Sequence, residues 1–140
     1  MRKIIIITLI SILGLAATAQ DNNGSLNERL FKAKLNELVY RLHISTEQQK
    51  KFEPIYRNYC NEMSALWTER KQPIQPNTSS KAAAIEKRKM EMQQRAQGIR
   101  MKYIDKFATV LNPNQVERFY EVESLIQKKL KERKEQTRNK

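Results

Sequence analysis

The sequence predicts an all-α protein, and three observations carry that expectation. In 140 residues there are only three Gly and four Pro, against abundant Lys, Glu, Gln, Leu and Ala, a composition that favours helix over turn-rich sheet. Apolar residues recur at three- and four-residue steps in four separate segments, and no strand-like alternation lasts. Two of those segments open on matched helix-capping signals. Four helices are expected, two of them long.

The chain begins with Met1-Arg2-Lys3, an almost wholly apolar run from Ile4 to Leu15, and Ala16-Ala17-Thr18-Ala19. A positive start, an apolar stretch and a small-residue A-x-A site describe a secretory signal peptide over residues 1–19, cleaved after Ala19. The apolar run falls short of the roughly 20 residues that span a bilayer, so stable membrane insertion is not expected. No Cys stands at the cleavage point to carry a lipid. The mature protein is therefore expected in a periplasm, starting with a flexible stretch over 20–24.

The first helix is expected from Ser25 to about His43. Ser25-Leu26-Asn27-Glu28 reads as a capping box, and Leu26, Leu30, Ala33, Leu35, Leu38, Val39 and Leu42 form its buried stripe. The second opens with Ile44-Ser45-Thr46-Glu47-Gln48, where Ser45 caps the next turn and Gln48 reaches back to it. Its stripe runs through Phe52, Ile55, Tyr56, Tyr59, Met63, Leu66 and Trp67 to about Lys71, with Pro54 inside it as an expected bend. Residues 72–79, rich in Gln, Pro, Asn and Ser, read as a connector.

The third helix is expected from about Ser80 to Leu111, on the order of 48 Å long. Its main stripe is Ile85, Met92, Ala96, Ile99, Tyr103, Phe107 and Val110; Met90, Met101, Ile104 and Ala108 form a weaker one nearly opposite. A helix apolar on two sides needs two partners, one from its own protomer and one from a second subunit or a client. The fourth opens with Leu111-Asn112-Pro113-Asn114-Gln115: Asn112 caps, Pro113 suits the first helical position, Gln115 closes the box, and Leu111 and Val116 are placed as a hydrophobic staple. Val116, Phe119, Tyr120, Ile126 and Leu130 continue its stripe before a basic tail over 131–140 that is expected to fray.

The formal net charge is +12, or +10 once Arg2 and Lys3 leave with the leader. Outside the cytoplasm such a charge points to acidic proteins, anionic headgroups or anionic polysaccharide rather than to nucleic acid. A single His and a single Cys weigh against His-based catalysis, a multi-ligand zinc site and a disulfide framework, and the few Gly against a phosphate loop. No enzyme, cofactor or metal is expected. Met90 and Met92 offer thioethers to copper, but adjacent-but-one positions on a helix face apart. His43 reads as a polar turn residue, and Trp67 and the Tyr residues as packing. Cys60 reads either as a buried, inert thiol or as one half of an intersubunit disulfide.

The candidate binding surface lies on the third helix. Lys81, Arg88, Arg95 and Lys102 recur every seven residues, extended by Lys106, as a basic ridge beside the main stripe. Together with Met90, Met101 and Ile104 they would attract and hold acidic, partly unfolded chains. The alternative is a solvated face whose cations pair with Glu91 and Asp105.

The two helix starts, Ile44-Ser45-Thr46-Glu47-Gln48 and Leu111-Asn112-Pro113-Asn114-Gln115, stand 67 residues apart and share one pattern: apolar, cap, two variable positions, Gln. In this the chain resembles the Spy/CpxP family of periplasmic stress proteins, whose hallmark is a repeated Leu-Thr-x-x-Gln. Ser45 and Asn112 replace the Thr, and Ile44 replaces the first Leu; the capping chemistry survives all three changes. The resemblance covers about residues 25–130. It implies a thin, curved protomer forming an antiparallel, cradle-shaped homodimer that binds unfolded or misfolding envelope proteins without ATP. It also implies, as an alternative, a regulatory partner docking on the periplasmic domain of a sensor kinase. A third reading, from charge alone, is an exported protein that binds anionic envelope polymers. The motif itself reads as two well-capped helix starts, with client contact by Gln48 or Gln115 as the alternative.

Overall fold

The computed structural model describes residues 22–71 and 81–139; the leader over 1–19 and the connector over 72–79 lie outside them. The fold is all-α. Four helices follow one another, α1 (Asn22–Leu42), α2 (Thr46–Arg70), α3 (Lys81–Ala108) and α4 (Pro113–Arg138), with no strand among the described residues. At 1.5 Å per residue α3 is about 42 Å long and α2 about 38 Å. None is long and apolar enough to cross a membrane.

Three boundaries differ from the sequence reading, the first being the end of α3, at Ala108 rather than Leu111. α1 starts at Asn22, so Ser25 lies within the helix rather than at its cap. α4 runs on to Arg138 through the segment read as a fraying tail. After Pro113 the chain has neither Gly nor Pro, and its Lys, Glu, Arg and Gln are good helix formers, so nothing local stops the helix. The inner boundaries match the capping signals. Ser45 Oγ accepts from Gln48 N (3.1 Å) while Ser45 N donates to Gln48 Oε1 (3.0 Å). Asn112 and Gln115 repeat the exchange at 2.9 Å in both directions.

The helices pack in two antiparallel pairs, α2 with α3 and α1 with α4, with lesser contacts between α3 and α4 and between α1 and α2. The pairs meet in one core, in which Leu35, Leu38, Leu42, Leu111, Val122 and Ile126 surround an aromatic cluster. Every Phe and every Tyr except Tyr40 belongs to that cluster; Phe107 and Phe119 have ring centroids 4.4 Å apart, and Tyr59 meets Tyr103, Phe107, Phe119 and Tyr120 edge to face. Such contacts each stabilise by about 0.5–1.5 kcal/mol beyond burial alone. A smaller core of Leu66, Met92 and Ala96 holds the far ends of α2 and α3 together.

Most of the expected stripes are buried, with informative exceptions. Ile85 is 47% exposed. Ile85 lies nearly a turn beyond Arg88, which itself reaches only the Glu69 carbonyl at the end of α2. Trp67, read as packing, is 38% exposed, with the Arg70 guanidinium over its ring. Phe31 and Val122, outside the expected stripes, are buried, and so is Glu123.

Candidate functional site

The two repeated motifs come together where the α1–α2 and α3–α4 turns meet. Gln48 Nε2 donates to Gln115 Oε1 (2.8 Å) and Gln115 Nε2 donates to Gln48 Oε1 (3.1 Å). Each amide also crosses to the other half of the repeat: Gln48 Nε2 to the Val110 carbonyl (3.3 Å), Gln115 Nε2 to the carbonyls of Leu42 (3.1 Å) and His43 (3.3 Å). The two Gln115 Nε2 hydrogens are shared among three acceptors, and each Oε1 also accepts from its own cap, so both amides are fully used. These glutamines are therefore structural: they close two helix starts and tie the end of α1 to α4 and the end of α3 to α2.

The α1 end is itself a left-handed stop. His43 adopts φ 53°, Ile44 N donates to the Val39 carbonyl (3.0 Å) and His43 N to that of Tyr40 (3.4 Å), the bonding of a Schellman turn with His where Gly is usual.

The basic ridge of α3 lies along the α2 seam. Arg95 Nη1 pairs with Glu69 (2.7 Å) and Lys102 Nζ with Glu62 (2.8 Å), whose other neighbour is the Tyr103 hydroxyl (2.7 Å). Arg88 Nη2 donates to the Glu69 carbonyl (2.7 Å), capping the C-terminal end of α2. Lys106 sits over the Tyr103 ring, 4.8 Å from its centroid, and Lys81 is exposed at the start of α3. The ion-pair partners thus come from α2 rather than from Glu91 and Asp105. Lys102, then Tyr103, holds the Glu62 carboxyl below the ordinary carboxylate range; Arg95 does the same for Glu69. Burial, aided by Glu62, pushes the Tyr103 hydroxyl up to about 12.

The opposite face of α3 is open. Met90 is 59% exposed, Met101 65% and Ile104 39%, while Met92, one turn-face away, is buried against Leu66. Scattered surface apolar residues are ordinary, but this row follows a single helix face.

Beside it runs a cleft of about 710 Å³ between the α2–α3 and α1–α4 pairs, to which all four helices contribute. Tyr59, Tyr120 and Glu123 lie deepest, and Met63 and Trp67 line one wall. The Tyr59 hydroxyl donates to Glu123 Oε2 (2.8 Å) and the Tyr120 hydroxyl to the Arg100 carbonyl (2.6 Å). Burial raises the Glu123 carboxyl above its ordinary value despite the Tyr59 bond and the nearby charges of Lys34 and Arg100. Cys60 is a half-buried free thiol on this cleft, raised by desolvation, beside the buried Tyr56 hydroxyl. Sequence reading missed the cleft because its lining is drawn from every helix; Glu123, polar at a buried position on α4, was the one local signal.

Fold and surface together define an all-α protein with an exposed apolar helix face and a cationic, aromatic cleft. Comparison with protein-family models, with characterised proteins and with solved structures returns no match to this chain.

Proposed function

We propose that this protein is an exported, ATP-independent chaperone that binds unfolded or misfolding envelope proteins, of the kind the Spy/CpxP resemblance implies. The observation that carries the reading is the open face of α3, where Met90, Met101 and Ile104 stand exposed on a strongly basic chain. Apolar side chains at that spacing hold apolar segments of a client, and flexible Met adapts to many sequences. The surrounding positive charge draws in acidic chains over a distance of about a Debye length.

The test is dilution of a chemically denatured client into buffer without nucleotide, followed by light scattering. Near-stoichiometric suppression of aggregation is expected, and a Met90→Ser/Met101→Ser/Ile104→Ser variant should lose most of it, since these residues lie outside the core. Unimpeded aggregation in the presence of the native protein would overturn the reading. Capture of a single envelope sensor domain in place of unfolded chains would support the regulatory alternative.

A further inference from the structure

We infer that the cleft between the α2–α3 and α1–α4 pairs is a binding site for a short, extended, acidic and apolar stretch of polypeptide, about five residues long. The inference rests on the polypeptide-binding function proposed above and gives it a second surface and a preferred sequence class.

Charge is the first argument. Lys34, Arg100 and Lys134, from α1, α3 and α4, and Lys71, just past the end of α2, line the cleft, and none makes an ion pair within 4 Å among the described residues. The α3 ridge differs here, because Arg95 and Lys102 are already paired with α2 carboxylates. Among the described residues the one acid on the cleft is Glu123, which is 9% exposed and engaged by Tyr59. Lys34 and Arg100 already act on the Glu123 carboxylate, so an anion laid along the cleft meets four cations set against one acid.

Spacing decides what kind of anion. On α2 the lining runs from Tyr59 to Lys71, twelve residues or about 18 Å of helix. A ligand with one charged head meets only one end of that array. An extended chain rising about 3.3–3.6 Å per residue covers it with roughly five residues and can present carboxylates at several points.

The lining chemistry agrees. Met63, Trp67, Leu30 and Tyr120 offer apolar and aromatic surface, and Gln97, Gln127, Ser64 and Ser124 offer donors and acceptors between them. A peptide backbone needs such partners, whereas an acyl chain would be desolvated against them at a cost. Gln97 is exposed four residues before Met101 on α3, so the cleft opens onto the open apolar face. A client held at Met101 could run on into it without a break.

Trp67 is the only Trp in the chain and lines the cleft, so its fluorescence reports occupancy directly. The probes are an eight-residue peptide alternating Glu and Phe, the same peptide with Lys for Glu, and laurate. The Glu/Phe peptide should shift Trp67 emission saturably and lose affinity as salt rises toward about 1 M. The Lys/Phe peptide should not bind. A Lys34→Gln/Arg100→Gln variant, which removes two half-buried cations that belong to neither hydrophobic core, should bind roughly three- to tenfold more weakly. Glu123→Gln should bind more tightly, which a merely structural role for the cleft would not produce. No Trp67 response to the Glu/Phe peptide, equal binding of both peptides, or tighter binding of laurate would each overturn the inference. If aggregation is still suppressed while the peptide fails, the chaperone reading stands and only the cleft is refuted; if both fail, the function itself is refuted.

Discussion

Gln48 and Gln115 donate to one another between the α1–α2 and α3–α4 turns, 2.8 Å in one direction and 3.1 Å in the other. Each is also the closing residue of its own helix's capping box. One amide therefore satisfies a helix terminus, a second amide and a carbonyl of the opposite half. The consequence is that the two motifs should behave as a single thermodynamic unit. Gln115 is buried, and Gln115→Ala strands the Leu42 carbonyl and one side of Gln48, so it should cost about 2–3 kcal/mol. Gln48→Ala, at a half-buried position, should cost about 1 kcal/mol. In urea denaturation the double variant should lose less than the two singles together, with a coupling of about 1 kcal/mol. Strict additivity would show that the reciprocal bond contributes nothing.

His43 stops α1 in the left-handed region, where a side chain costs about 1–2 kcal/mol relative to glycine. Part of that is offset because glycine loses more freedom on folding. His43→Gly should therefore raise stability by up to about 1 kcal/mol, while His43→Val, β-branched, should lower it. Thermal unfolding of the two variants checks both signs; a stabilising Val would contradict the observed turn.

Glu123 sets a pH dependence of known sign. Its carboxyl titrates above the ordinary value of 4.5 because burial disfavours the charge, while Tyr59, Lys34 and Arg100 oppose that shift. A group that holds its proton more tightly when folded costs nothing in acid. Stability is lost as pH rises from the unfolded value through the folded one. Glu123→Gln keeps an acceptor for the Tyr59 hydroxyl and removes the titration. The variant should be the more stable chain at pH 7, with the difference shrinking toward pH 4. Glu62 and Glu69 carry the opposite dependence, their contribution falling away in acid, but they are common to both chains and cancel. A difference independent of pH, read by denaturant unfolding at the two values, would contradict the burial of a charged Glu123.

What the sequence made legible follows a physical division. Caps are local, so Ser45, Gln48, Asn112 and Gln115 could be read from five-residue windows, and helical periodicity identified most of the core face of each helix. Periodicity says which face is apolar but not what covers it. Ile85 and Trp67 therefore read as core although both are exposed, and sequence alone offers Glu91 and Asp105 to the ridge cations because Glu62 and Glu69 are distant in the chain. Glu123 broke no pattern strongly enough to be noticed, since a polar residue inside an apolar stripe reads as its edge. The pairing of Gln48 with Gln115 is a property of the fold alone.

The central claim, that this basic, aromatic-cored helical protein receives unfolded polypeptide, is tested most directly by isothermal titration with a permanently unfolded acidic protein in the absence of nucleotide. Saturable, salt-sensitive binding is expected, and none to a natively folded protein of equal charge. Equal affinity for the folded and the unfolded form would contradict it, since charge alone would then account for the binding.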